Sequence, residues 1–151
     1  MTFSDFVAQQ DARNTIELNV TKWTLMLCDA LKKNYIDYII KSHKRQLTEY
    51  GGDRCDVSYA SYHKECIEKL KQGICDYDFT FESGRKYHKI IMNVNGFRSV
   101  RCFVDKKTGE IYKAASFRSP AKHIRYDLRI IEQREWILSN ADWAGSWLYL
   151  R

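Results

Sequence analysis

Proline occurs once and glycine seven times in 151 residues. No Pro- or Gly-rich stretch is left to serve as a flexible linker, so the sequence predicts a single domain over 1–151. Long apolar runs are also missing. The nearest, Trp23 to Ile40, is interrupted by Asp29, Lys32, Lys33 and Asp37, and a bilayer span needs ~20 apolar residues. Met1-Thr2-Phe3-Ser4-Asp5 lacks the basic region and apolar core of a secretory signal. Cys28, Cys55, Cys66, Cys75 and Cys102 form no Cys-x-x-Cys, and their number is odd. Free thiols in a reducing cytosol are the expectation, with no membrane partner. There is no Walker loop, no Rossmann glycine fingerprint and no His-Glu-x-x-His, and the acids are too scattered to suggest a two-metal nuclease site. Neither an enzyme nor a cofactor is expected.

The chain is rich in aromatics and in localised positive charge. It carries ten Tyr, seven Phe and four Trp, and a net charge of +6. Residues 85–129 hold 12 Lys or Arg against 3 acids, whereas residues 1–84 hold 11 against 13. Charge gathered in one segment points to an anionic partner.

Periodicity sets the elements. Residues 1–75 read as mainly helical. A short helix is expected from Ser4 to Arg13, with Phe3, Phe6 and Val7 facing inward. Thr15 to Val20 fits a strand or a helix. Thr21 to His43 is a long helix with an apolar face of Trp23, Leu27, Ala30, Leu31, Tyr35, Tyr38 and Ile39. Tyr59, His63, Cys66, Ile67 and Leu70 mark a further helix, with Gly73 as its C-cap. Residues 76–118 alternate as four strands joined at Glu82-Ser83-Gly84-Arg85, Asn95-Gly96 and Asp105 to Glu110. Val100, Cys102 and Val104 fall on one side of the third strand, and Arg101, Phe103 and Asp105 on the other. Ser119 as N-cap and Pro120 at the first helical position open a helix over 119–139. In it Ile124, Leu128 and Ile131 make an apolar stripe beside a basic stripe of Lys122, Arg125 and Arg129. Residues 140–151 read as turns and a short strand. The fold class is α+β: a four-stranded antiparallel β-meander packed against N-terminal and C-terminal helices.

Two candidate sites compete with a plainer reading. Cys55, His63, Cys66 and Cys75 have the chemistry of zinc ligands but not the spacing of common zinc modules, and core thiols account for them better. Cys102 with His88 or His123 would give a thiol nucleophile and a base, but Cys102 alternates with valines and reads as buried.

The hairpin around Gly109 and the segment after it carry a likeness. Asp105, Thr108, Gly109, Ile111, Tyr112, Lys113, Ala115, Ser116, Pro120, Ala121, Lys122 and Arg125 match a pattern in which D-x-x-T-G-x-I-Y-K-x-A-S is followed by P-A-K and an Arg-bearing helix. This stretch resembles small uncharacterised phage-encoded proteins, with Phe117 standing where Trp is expected. The resemblance covers about residues 100–125 and implies a viral accessory protein in the cytoplasm of an infected cell.

The basic segment interleaves cations with aromatic rings, the combination that holds phosphates and stacks bases. The candidate nucleic-acid contacts, to DNA or RNA, are Lys89, Arg101, Lys113, Arg118, Lys122, Arg125 and Arg129, with Tyr112 and Phe117 to stack. The alternative is a module that blocks an acidic host protein or sequesters a small phosphorylated ligand.

Overall fold

The computed structural model describes residues 2–50 and 57–149. Its elements run α1 (Phe3–Tyr50), α2 (Val57–Lys71), β1 (Tyr77–Ser83), β2 (Tyr87–Val94), β3 (Phe97–Asp105), β4 (Glu110–Ala114), β5 (Pro120–Asp127) and α3 (Ile131–Asn140), then a 3-10 turn at Ser146–Leu148. The class is α+β, with an antiparallel sheet in the order β1-β2-β3-β4-β5.

Residues 3–50 form one continuous helix, not two pieces with an ambiguous joint. No Pro or Gly interrupts residues 3–50. Thr2 and Asp5 open α1 as a reciprocal capping box, with Thr2 N–H donating to Asp5 Oδ2 and Asp5 N–H to Thr2 Oγ1. The hydroxyls of Thr15, Thr21 and Thr24 donate to carbonyls four residues back, so these β-branched residues are accommodated inside the helix. At ~1.5 Å per residue α1 is about 72 Å long, far longer than the sheet it supports. Its fully buried residues lie in the middle: Val20, Thr24, Leu27, Cys28, Leu31 and Tyr35 are buried, while Tyr38 is exposed. α2 ends at Gly73, whose φ of +83° allows the closing turn, with Ile74 N–H donating to Lys69 O.

The sheet has five strands, because the segment expected to start a helix at Pro120 pairs with β4 instead. Ile111 pairs with Tyr126 and Tyr112 with Ile124. Ser119 is no helix cap. Ser116 Oγ accepts the N–H groups of Arg118 and Ser119 and closes the β4–β5 hairpin. Pro120 stands at the first position of an edge strand, where a missing N–H is tolerated. Of the expected apolar stripe only Leu128 is buried; Ile124 and Ile131 are exposed. The helix proper begins at Ile131, and the expected terminal strand at Trp147 is a 3-10 turn.

One face of the sheet meets the helices. Phe79, Ile90, Cys102, Val104 and Ile111 join Val20, Leu27, Leu31 and Leu128 in the core, with Ile137 and Trp147 closing it from the C-terminal side. Gly109 sits in the β3–β4 turn, against Val20 of α1 and Leu128. A Cβ there would lie 3.4 Å from Leu128 Cβ and 3.5 Å from Val20 Cγ2, and its φ is +74°. The positive φ is what demands glycine; the neighbours stand at van der Waals contact distance.

Candidate nucleic-acid interface on the open face of the sheet

The face turned away from α1 carries an aromatic and cationic cluster. Its floor is Phe103, fully buried, with Tyr87 edge-on at 5.7 Å between ring centroids. Tyr112, paired with Phe103 across β3 and β4, meets Tyr87 at 6.1 Å. Lys89 Nζ lies 5.7 Å from the Phe103 centroid and 5.2 Å from that of Phe117. The β4–β5 hairpin tip thus brings Phe117 back over β2 and β3, where the Arg98 guanidinium also stands 6.0 Å from its ring. Arg98 is ion-paired to Glu82. The Tyr112 hydroxyl donates to Glu110 Oε2 at 2.7 Å, which keeps its proton on and pushes its pKa up to about 12. Phe117 is 46% exposed and Tyr112 half-buried. The surface therefore presents these two rings to solvent with cations beside them.

Strand parity decides which of the expected contacts share this face. Lys89, Tyr112 and Phe117 do. Arg118 is exposed on the same hairpin tip, and Lys122 is exposed on edge strand β5 rather than on a helix. Arg129 follows β5 and is ion-paired to Asp127 at 3.4 Å. Lys113 pairs with Cys102, a core residue, so it belongs to the opposite face, where its Nζ sits 4.8 Å from the Tyr149 ring. Arg125 is likewise turned to the C-terminal segment, Nε donating to Leu148 O at 2.6 Å and Nη1 to His123 O at 2.7 Å.

Arg101 is the extra residue of a bulge: Ile90 pairs with Cys102 and Ile91 with Val100. The expected alternation therefore breaks there, and Val100 lies on the face opposite Cys102. Arg101 Nη2 reaches Met92 Sδ at 3.1 Å, and its Nε is buried without a hydrogen-bond partner. Tyr87, Phe103 and Arg98 complete the cluster although they were not among the expected contacts. The alternation of Phe103 with Cys102 and Val104, and of Tyr87 with His88, was the signal that could have placed them.

This chain belongs to the DUF7717 family. The match covers residues 3–150, and the family is one of unknown function. No curated protein and no solved structure matches the chain.

The other candidate chemistries meet a different geometry in this DUF7717 member. Cys102 is fully buried, and burial pushes its thiol pKa well above the ordinary thiol range. His88 is held by Ser83 Oγ at Nδ1 (2.7 Å) and Thr21 Oγ1 at Nε2 (3.2 Å), and burial lowers its pKa. Cys55 lies outside the described residues. Among the described residues no three His, Cys, Asp or Glu side chains gather closely enough to hold a metal ion. His63 is instead hydrogen-bonded through Nδ1 to Nδ1 of His43 at 2.7 Å. Among the described residues no helix is long and apolar enough to cross a membrane.

Proposed function

We propose that this protein binds single-stranded nucleic acid on the open face of its sheet, as a small accessory protein of the phage type that its hairpin sequence resembles. The observation that carries the reading is Lys89 set against the rings of Phe103 and Phe117, with Arg98 also beside Phe117. Solvent-facing rings give bases a surface to stack on, and adjacent cations take the phosphates. Phe117 and Tyr112 are the stacking rings, Lys89, Arg98 and Arg118 the phosphate contacts, and Lys122 and Arg129 extend the path along the β5 edge. Arg101, Lys113 and Arg125 are already engaged with the protein's own C-terminal segment or core.

Fluorescence anisotropy with a labelled oligo-dT and its RNA counterpart tests this at low and moderate salt. Binding is expected at low salt and should weaken as salt rises, because phosphate contacts release counterions. Lys89→Glu with Phe117→Ala should cost roughly tenfold or more, since one stacked base contributes about 1–3 kcal/mol. No binding at low salt, or an unaltered double variant, defeats the proposal. Binding only to acidic host proteins after nuclease treatment would assign the face to a protein partner instead.

A further inference from the structure

A second cationic site lies at the end of the sheet, between its turns and the N-terminal half of α1. It is a cleft of about 430 Å³ lined by Glu17, Arg85, Lys86, Asp105, Lys106 and Lys107. A hollow of about 370 Å³ shares Glu17 and Lys107 with it and adds Arg13 and Ile16. The two together fall in the size range of sites for small organic ligands, about 300–1,000 Å³.

The charges lining this cleft divide into those the fold uses and those it leaves over. Asp105 is buried, and its Oδ1 accepts the N–H groups of Lys107 (2.9 Å) and Thr108 (3.1 Å). It holds the turn that projects Lys106 and Lys107. Lys106 Nζ donates to Gly84 O at 3.2 Å, which links the β3–β4 turn to the β1–β2 turn. Lys86 lies over the Tyr87 ring. Arg13, Arg85 and Lys107 have no such engagement: among the described residues none forms an ion pair, although Glu17 lines the same cleft. Three cations outside any ion pair thus line the cleft and the hollow beside it, together with the carboxylate of Glu17, which also acts on His88.

We infer that this cleft binds a nucleoside polyphosphate, with Arg13, Arg85 and Lys107 on the phosphates and Glu17 on the sugar hydroxyls. A guanidinium matches two phosphate oxygens at once. A carboxylate only repels an inorganic anion but accepts hydrogen bonds from a ribose diol, as acidic residues do in dinucleotide sites. The cleft adjoins the open sheet face at Lys86, which lies over the Tyr87 ring, but its Glu17 and Arg13 belong to α1, which packs on the other side.

Titration of the full chain with 1,N6-etheno-ADP, whose label is on the base and leaves the ribose diol free, followed by fluorescence, tests the assignment. Saturable binding displaced by unlabelled ADP is expected. Arg85→Ala with Lys107→Ala should weaken it roughly tenfold or more, the loss expected for two charge-assisted contacts. Both side chains are exposed, so an unchanged thermal melt is expected and shows that the variant is folded. Glu17→Gln should weaken ADP while leaving pyrophosphate equal or tighter. A saturating oligo-dT should leave the labelled ADP in place. Absence of ADP binding, an unaffected double variant, equal loss of ADP and pyrophosphate in Glu17→Gln, or displacement by oligo-dT would each overturn the inference.

Discussion

Two arginines on the helix-facing side of the sheet should respond to the same substitution in opposite directions. Arg125 donates from Nε to Leu148 O, inside a segment where Trp147 and Leu148 are buried. Arg125→Met leaves that carbonyl without its partner and should cost about 1–3 kcal/mol in urea denaturation, the usual consequence of stranding a buried acceptor. Arg101 has the reverse problem: its Nε is buried and already unpartnered. Arg101→Met retains the aliphatic stem against Met92 and removes the stranded donor, so it should be neutral or stabilising by up to about 1 kcal/mol. Lys122 is exposed on β5, and Lys122→Glu should stay within about 0.5 kcal/mol. Equal losses at positions 101 and 125 would show that contact with the C-terminal segment, not hydrogen-bond satisfaction, decides the stability there.

At the scale of elements, α2 is docked on the C-terminal part of α1 through the hydrogen bond between His43 and His63, with Tyr59 and Tyr62 packed around His63. That bond needs one ring with an unprotonated Nδ1. Burial first, and His63 second, lower the His43 pKa from its ordinary 6.5, and burial followed by Lys106 lowers that of His88. A histidine whose folded pKa is depressed takes up its proton more readily when unfolded. Its contribution to stability is therefore complete above about pH 6.5 and is lost as pH falls through the folded pKa. Urea midpoints should drop between about pH 7.5 and about pH 5.5. His43→Gln, which cannot titrate, should show a smaller drop; equal drops in both proteins would show that His43 does not carry the effect. The hairpins were readable in the sequence because Asn95-Gly96 and Gly109 supply the positive φ that the turns require, and the structure has them there. The β5 segment was not, because Ile124, Leu128 and Ile131 are spaced for a helix and Pro120 suits the start of either element. Pairing with β4, a tertiary term, settles it. The same limit applies to the site. Lys89, Tyr112 and Phe117 were legible as a cation among rings, but the bulge at Arg101 and the parity of Lys113 depend on register, which residue spacing alone does not give.

For the whole molecule, the mismatch between a helix of about 72 Å and a sheet whose longest strand is the nine-residue β3 has a consequence for stability. The buried stretch of α1 runs from Val20 to Tyr35, whereas Phe3 is 82% exposed and nearly every position from Thr2 to Thr15 is open to solvent. A helix propagates cooperatively once nucleated, so the packed middle can sustain the overhang without the overhang returning stability to the core. Deletion of residues 2–9 should lower the far-ultraviolet helix signal by about two turns while shifting the unfolding free energy by no more than about 0.5 kcal/mol. It spares Arg13 and Glu17, so labelled-ADP binding should persist. A loss of about 2 kcal/mol or more would mean that Phe3, Phe6 and Val7 are covered in solution, and sedimentation of the intact chain would then show whether a second copy covers them.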